Sequence, residues 1–92
     1  MGFSDVGPTW LAVASTSAGV LLASNPRLAE IVKNASAKVD VLIVSFHFGN
    51  EYEKTANDRQ RALAHLAVAS GAKIVVGHHP HVAQEVEKYK EG

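Results

Sequence analysis

At 92 residues this chain is one small domain at most, able to bury roughly two thirds of its unfolded surface in a single core. Nine basic and nine acidic side chains cancel without clustering, which excludes an electrostatic nucleic-acid footprint and a polybasic membrane patch. No cysteine is present, so disulfides and thiolate metal sites are excluded, and the apolar runs fall far short of the roughly 20 residues that cross a bilayer.

Met1-Gly2-Phe3-Ser4-Asp5 lacks the charged and apolar regions of a signal peptide. Residues 3–17 carry turn formers, Gly7-Pro8 and Ser15-Thr16-Ser17, around a lone Trp10, and read as a short strand or loop followed by a connection. Residues 19–23, Gly-Val-Leu-Leu-Ala, suit a short strand. Asn25-Pro26 then starts a helix, with asparagine as N-cap and proline at the first helical position. Leu28, Ile31, Val32 and Ala35 recur at helical spacing and carry that helix to about residue 38.

Residues 39–46 are nearly continuous and β-branched, the pattern of a strand buried on both faces. Asn57 caps a second helix over 58–70, with Ala62, Leu63, Leu66, Ala67 and Ala69 as its apolar side and Gly71 as its stop. Residues 73–76 form the next buried strand, and 82–89 alternate well enough for a last one. The order βαβαββ predicts an α/β architecture with a parallel pair joined by a right-handed crossover.

The most informative stretch is Gly77-His78-His79-Pro80-His81, directly after the apolar run Ile74-Val75-Val76. Three imidazoles in four positions at a strand end are costly to desolvate without a purpose, and neutral imidazole is the commonest protein ligand for a transition metal. Gly77 allows a tight turn, while Pro80 fixes its own φ and biases His79 toward extended backbone.

In a parallel crossover both strands finish at the same sheet edge, where α/β folds place ligands. That geometry brings His47, in Ser45-Phe46-His47-Phe48-Gly49, toward His79 and His81, with Glu51 and Tyr52 on the rim. Bland readings stand beside these. His65, mid-helix, reads as structural, and Trp10 and Tyr89 as core or rim packing. Glu51 alone could equally be a solvated loop charge. Glu53, Lys54, Asp58, Arg59 and Arg61 read as an ordinary solvated surface.

The blocks Val41-Leu42-Ile43-Val44-Ser45-Phe46-His47-Phe48-Gly49-Asn50-Glu51-Tyr52, then Gln60, then Gly71 to Val82 together resemble the bacterial capsule-synthesis CapA family. That family is associated with poly-γ-glutamate synthesis and lies in the calcineurin-like metallophosphoesterase superfamily. The resemblance covers nearly the whole chain, including Gly2-Phe3-Ser4-Asp5 and Ala18-Gly19-Val20-Leu21-Leu22-Ala23. Phe48 stands where the family usually has tryptophan.

The resemblance implies a two-metal site in a layered α/β sandwich, in which His47 would bind one metal while His79 and His81 would bind the pair. His78 is extra relative to the usual block, so ligand, substrate contact and support behind a ligand all stay open for it. His78 and Glu51 are the candidates for catalytic, non-ligand roles. The metal, a divalent zinc, manganese or iron, would polarise a phosphoryl oxygen and supply hydroxide. The cell envelope or the extracellular space would be its location.

The family's aspartate ligand blocks and its asparagine–histidine block are absent, and no carboxylate replaces the bridging aspartate. Asp5 falls in a loop, and Asp40 sits at a strand start, the wrong end of the sheet. The expectation is therefore one partial domain over 1–92, the C-terminal part of a CapA-like domain, with a single metal at most and little activity in isolation. The alternative is a small histidine-rich metal-binding or structural module without catalysis. Open strand edges and an apolar sheet face predict a homo-oligomer or a missing part of the parent domain as partner, and no nucleic acid or membrane segment.

Overall fold

Parallel pairing organises the computed structural model, which describes residues 1–92. Strand β1 (Gly2–Ser4) pairs with β2 (Ile43–His47), and β2 pairs with β3 (Ile74–His78), all parallel, in the order β1-β2-β3. Helix α1 (Leu28–Ser36) lies between β1 and β2 in the chain, and α2 (Asp58–Ala69) between β2 and β3. Each parallel pair thus has the helical connection that its geometry demands. The chain is mixed α/β, compatible with a piece of an α/β sandwich.

One core cluster joins Leu28 and Val32 of α1, Leu63 and Ala67 of α2, and Phe3, Val44 and Phe46 of the sheet. Both helices therefore cover the same sheet face. Burying Val44 and Phe46 completely stabilises the fold by about 1.5–3 kcal/mol per side chain.

The opposite face is open. Ile43 and Ile74 are each 47% exposed and Val76 is 39% exposed, so the expectation of strands buried on both faces is corrected. Side chains alternate across a strand, and with both helices on one side every second residue is left without cover. Strand β2 is also shorter than its apolar run. Residues 39–42 precede β2, and Val39 and Val41 are exposed.

Helix α2 starts as its sequence dictates. Asn57 Oδ1 accepts from the Gln60 N–H at 2.9 Å and Gln60 Oε1 accepts from the Asn57 N–H at 3.0 Å, a reciprocal capping box. Gly71, at φ +116°, supplies the left-handed stop. The inward face is narrower than expected: Gln60, Leu63 and Ala67 are buried, whereas Ala62, Leu66 and Ala69 are exposed. Helix α1 begins two residues later than expected. Asn25 Oδ1 instead accepts from the Arg27 N–H at 2.9 Å, closing a turn ahead of Leu28.

Two expected strands are not strands. Residues 19–23 make only single bridges, Leu22 to Ser4 and Val20 to Ala12, because their register breaks between the two contacts. Residues 82–89 join no sheet. They run along α2, held by side chains: Gln84 Oε1 accepts from Gln60 Nε2 at 2.9 Å, Gln84 Nε2 donates to the Glu53 carbonyl at 2.8 Å, and Glu85 pairs with Arg61. Bonds from its own amide and then from that of Ala56 hold the Glu85 carboxyl below its usual pKa. Tyr89 stacks on His65 at 3.7 Å between ring centroids, the rim packing expected of it. Trp10 is not packed; it is 79% exposed in the 3-10 turn Thr9–Leu11.

Candidate metal centre

His47 and His78 are paired residues at the ends of β2 and β3, so parallel pairing alone brings both histidine segments to one sheet edge. Two further bonds bring the following loops together. The Phe48 N–H donates to the His78 carbonyl at 3.1 Å, and the Tyr52 N–H donates to the Pro80 carbonyl at 2.7 Å. Gly49 (φ +86°) and Tyr52 (φ +63°) turn the first loop back.

The second loop does not take the shape that Pro80 suggests. His79 has φ +99° and His81 φ +60°, so His79 is in left-handed rather than extended backbone. The residue before proline is disfavoured in the right-handed helical region. Here the bond between Tyr52 and the Pro80 carbonyl, together with burial of the Pro80 ring, stabilises the bent alternative. A non-glycine residue in such backbone costs on the order of 1–3 kcal/mol and concentrates at functional sites.

Gly77 is also reassigned. It lies inside β3, and a Cβ there would sit 2.5 Å from Phe48 Cε1. Its need for glycine comes from the Phe48 ring above it, not from a tight turn. Phe48 stacks nearly parallel on Phe46, at 5.4 Å and 5°, which fixes the start of the loop that carries Glu51.

The loops bring together Glu51, His79 and His81, each offering one donor atom within 4.8 Å of the others. Glu51 Oε1 lies 3.7 Å from His81 Nε2. This donor group, two imidazoles and a carboxylate, suits a divalent ion with open positions, and the chemistry of the set fits the metal. Glu51 thus stands among the donors rather than behind them. His47 lies beside the group, its ring centroid 4.7 Å from that of His79. Partial desolvation, followed by the neighbouring His79, His78 and His81, holds its pKa below the usual value. The shift favours the neutral imidazole, the form that binds metal.

His78 is not one of these three donors, although it lies beside His47. Its Nε2 is hydrogen-bonded to Ser45 Oγ at 2.5 Å on the open sheet face, because strand alternation turns it away from Gly77 and the Phe48 ring.

One feature of this edge escaped sequence reasoning. Arg59 Nε and Nη2 donate to the two Asp5 carboxylate oxygens at 3.1 and 2.8 Å across 54 residues of chain, so Arg59 is not an ordinary solvated charge. The Asp5 N–H also donates to the His47 carbonyl at 2.9 Å, placing Asp5 at the same sheet edge. Nothing in local spacing signals this pair. Gln60, one of the residues that carry the resemblance, is 2% exposed and packed under Gly49; its capping-box position accounts for its place at the start of α2.

Comparison with known proteins now has a geometry to refer to. Residues 4–92 match the family described as bacterial capsule synthesis protein PGA_cap. The PGA biosynthesis protein CapA of Bacillus subtilis (strain 168) is 39% identical over 89 residues, covering 97% of this chain and 23% of that protein. The capsule biosynthesis protein CapA of Bacillus anthracis is 39% identical over 97 residues, covering the whole chain and again 23% of the relative. The chain thus spans about a quarter of the length of these curated relatives. No solved structure matches it significantly. By the family match over residues 4–92 and by both relatives, the chain belongs to the bacterial capsule synthesis PGA_cap family.

Proposed function

We propose that this chain is a segment of a CapA-like protein of capsule poly-γ-glutamate biosynthesis, and that Glu51, His79 and His81 hold one divalent ion at its sheet edge. The observation that carries this reading is the convergence of those three donors, from two loops locked together by the Tyr52–Pro80 bond. Zinc, manganese and iron all suit imidazole and carboxylate ligands. A bound ion would polarise a phosphoryl oxygen and lower the pKa of its water.

The chain's own groups set the limits of that chemistry. Glu51 supplies the one carboxylate of the donor group, and the Asp5 carboxylate is committed to Arg59. A single ion without a bridging aspartate follows, and the isolated chain turns over phosphoesters weakly or not at all. His47, whose ring lies beside that of His79, would add a further nitrogen or take up a proton. His78, bonded to Ser45, supports β2 against β3 at this edge.

Zinc titration by calorimetry, with histidine chemical shifts followed in parallel, tests the site. One zinc per chain, with His79 and His81 responding, is expected. Imidazoles that ignore zinc would remove the metal reading, and metal-dependent phosphoester turnover lost in His79→Ala and His81→Ala would overturn the predicted inactivity. A second reading, a metal-binding module without hydrolysis, is favoured by the exposure of Glu51 and His81. It differs in that added segments of the longer protein would not restore turnover.

We also propose that the open sheet face is covered in solution by a second copy of the chain. Its support is the run of exposed Val41, Ile43, Ile74 and Val76, an apolar surface that water disfavours.

A further inference from the structure

Beside the proposed metal site, Asp5, Asn50, Glu51, Asn57, Arg59 and His79 line a cleft of about 650 Å³ with only one hydrophobic residue in its wall. Such a lining suits a polar, charged group rather than an apolar ligand. Of the charged side chains there, Asp5 is neutralised by Arg59 and Glu51 belongs to the donor group.

Arg59 is held in one orientation. Its Nε and Nη2 donate to both oxygens of Asp5, whose side chain is only 17% exposed, while the Arg59 side chain is 51% exposed. Nη1 makes no hydrogen bond within the chain. A guanidinium has five N–H donors in a planar fork, so the outer edge of this one, Nη1 with the second hydrogen of Nη2, remains free beside the cleft. A fork of that kind matches two oxygens of a carboxylate or phosphoryl group, and Asp5 has already met the cost of fixing its rotamer.

We propose that Arg59, oriented by Asp5, is an anion-binding residue of this cleft that takes an oxyanion of the substrate, carboxylate or phosphoryl, next to the metal. The proposal rests on the metal reading in one respect: without a cation, Glu51 repels the incoming anion, so binding is tighter in the metal-loaded chain. Asp5 is a positioning residue that acts through Arg59.

The test titrates inorganic phosphate and, separately, glutarate into the metal-free and zinc-loaded chain by calorimetry. Wild type is expected to bind at least one of the two, more tightly with zinc. Arg59→Gln is expected to weaken that binding by about tenfold or more, the value of a charge-assisted pair. Arg59→Lys should fall between them, keeping the charge but losing the fork, and Asp5→Asn should weaken binding several-fold. Zinc affinity, measured independently, should change little in Arg59→Gln and strongly in Glu51→Gln, so failure of the metal site and failure of this proposal are read separately. Binding of phosphate alone or of glutarate alone supports the proposal and identifies the group. Binding of neither anion, or equal binding by wild type and Arg59→Gln in both metal states, would overturn it. Arg59 lies on the exposed side of α2, and circular dichroism of each variant confirms that the fold is retained.

Discussion

The backbone N–H of Tyr52 donates to the carbonyl of Pro80 at 2.7 Å, and through this bond the loop bearing Glu51 is fastened to the loop bearing His79 and His81. Residues 28 positions apart in the chain are thereby held at one edge. The three potential donors are therefore held together by a bond between their backbones as well as by the proximity of their side chains.

Removal of single donors should grade by role. Glu51→Gln, His79→Ala and His81→Ala are each expected to weaken zinc binding by at least about 10- to 100-fold, the range already seen for groups that only support ligands. His78→Ala, whose ring faces Ser45 instead, should have a smaller effect. Calorimetric zinc affinities of the four variants check the ranking.

Gly77→Ala places a Cβ 2.5 Å from the Phe48 ring. Overpacking of this kind should destabilise the chain by about 1–3 kcal/mol. Phe48→Leu in the same background should recover part of the loss, giving a clear coupling in a double-mutant cycle by urea unfolding.

Gln60 caps α2, bonds Gln84 and is 2% exposed. Gln60→Leu removes its share of the capping box and leaves the Gln84 amide oxygen without that donor, so a loss of about 1–3 kcal/mol is expected. Hydrogen exchange should quicken at the start of α2.

The pKa of His47 lies below its ordinary value of 6.5, through desolvation first and the neighbouring histidines second. Protonation is then easier in the unfolded chain than in the folded one. Stability of the metal-free protein should be fully present above the ordinary value and erode as pH falls below it. His47→Gln should flatten that slope, measured by urea midpoints between about pH 5 and 8.

The open face predicts self-association. Light scattering at high micromolar concentration should give a dimer mass, and Ile43→Lys, which places a charge among exposed apolar residues of that face, should return the chain to monomer. A monomeric wild type would count against the proposal.

Local pattern and local chemistry were sufficient for much of this protein. Asn57 and Gly71 bound α2 because a side-chain cap and a left-handed residue act within a few positions. The parallel pair and its shared edge follow from an apolar run, a helix and a second run, since a crossover returns the chain in the same direction. The histidine cluster is likewise evident from composition at one place in the chain. Tertiary structure decided what depends on distant partners. Whether a strand is covered on one face or two depends on which side both helices occupy. Residues 82–89 alternate like a strand, yet α2 offered Gln60, Arg61 and His65 as partners before any sheet edge did. The turn of Glu51 toward the imidazoles, the diversion of His78 to Ser45, and the pairing of Asp5 with Arg59 each join residues more than 25 positions apart. Side-chain spacing along a chain carries no record of such contacts; they exist only once the backbone has folded around them.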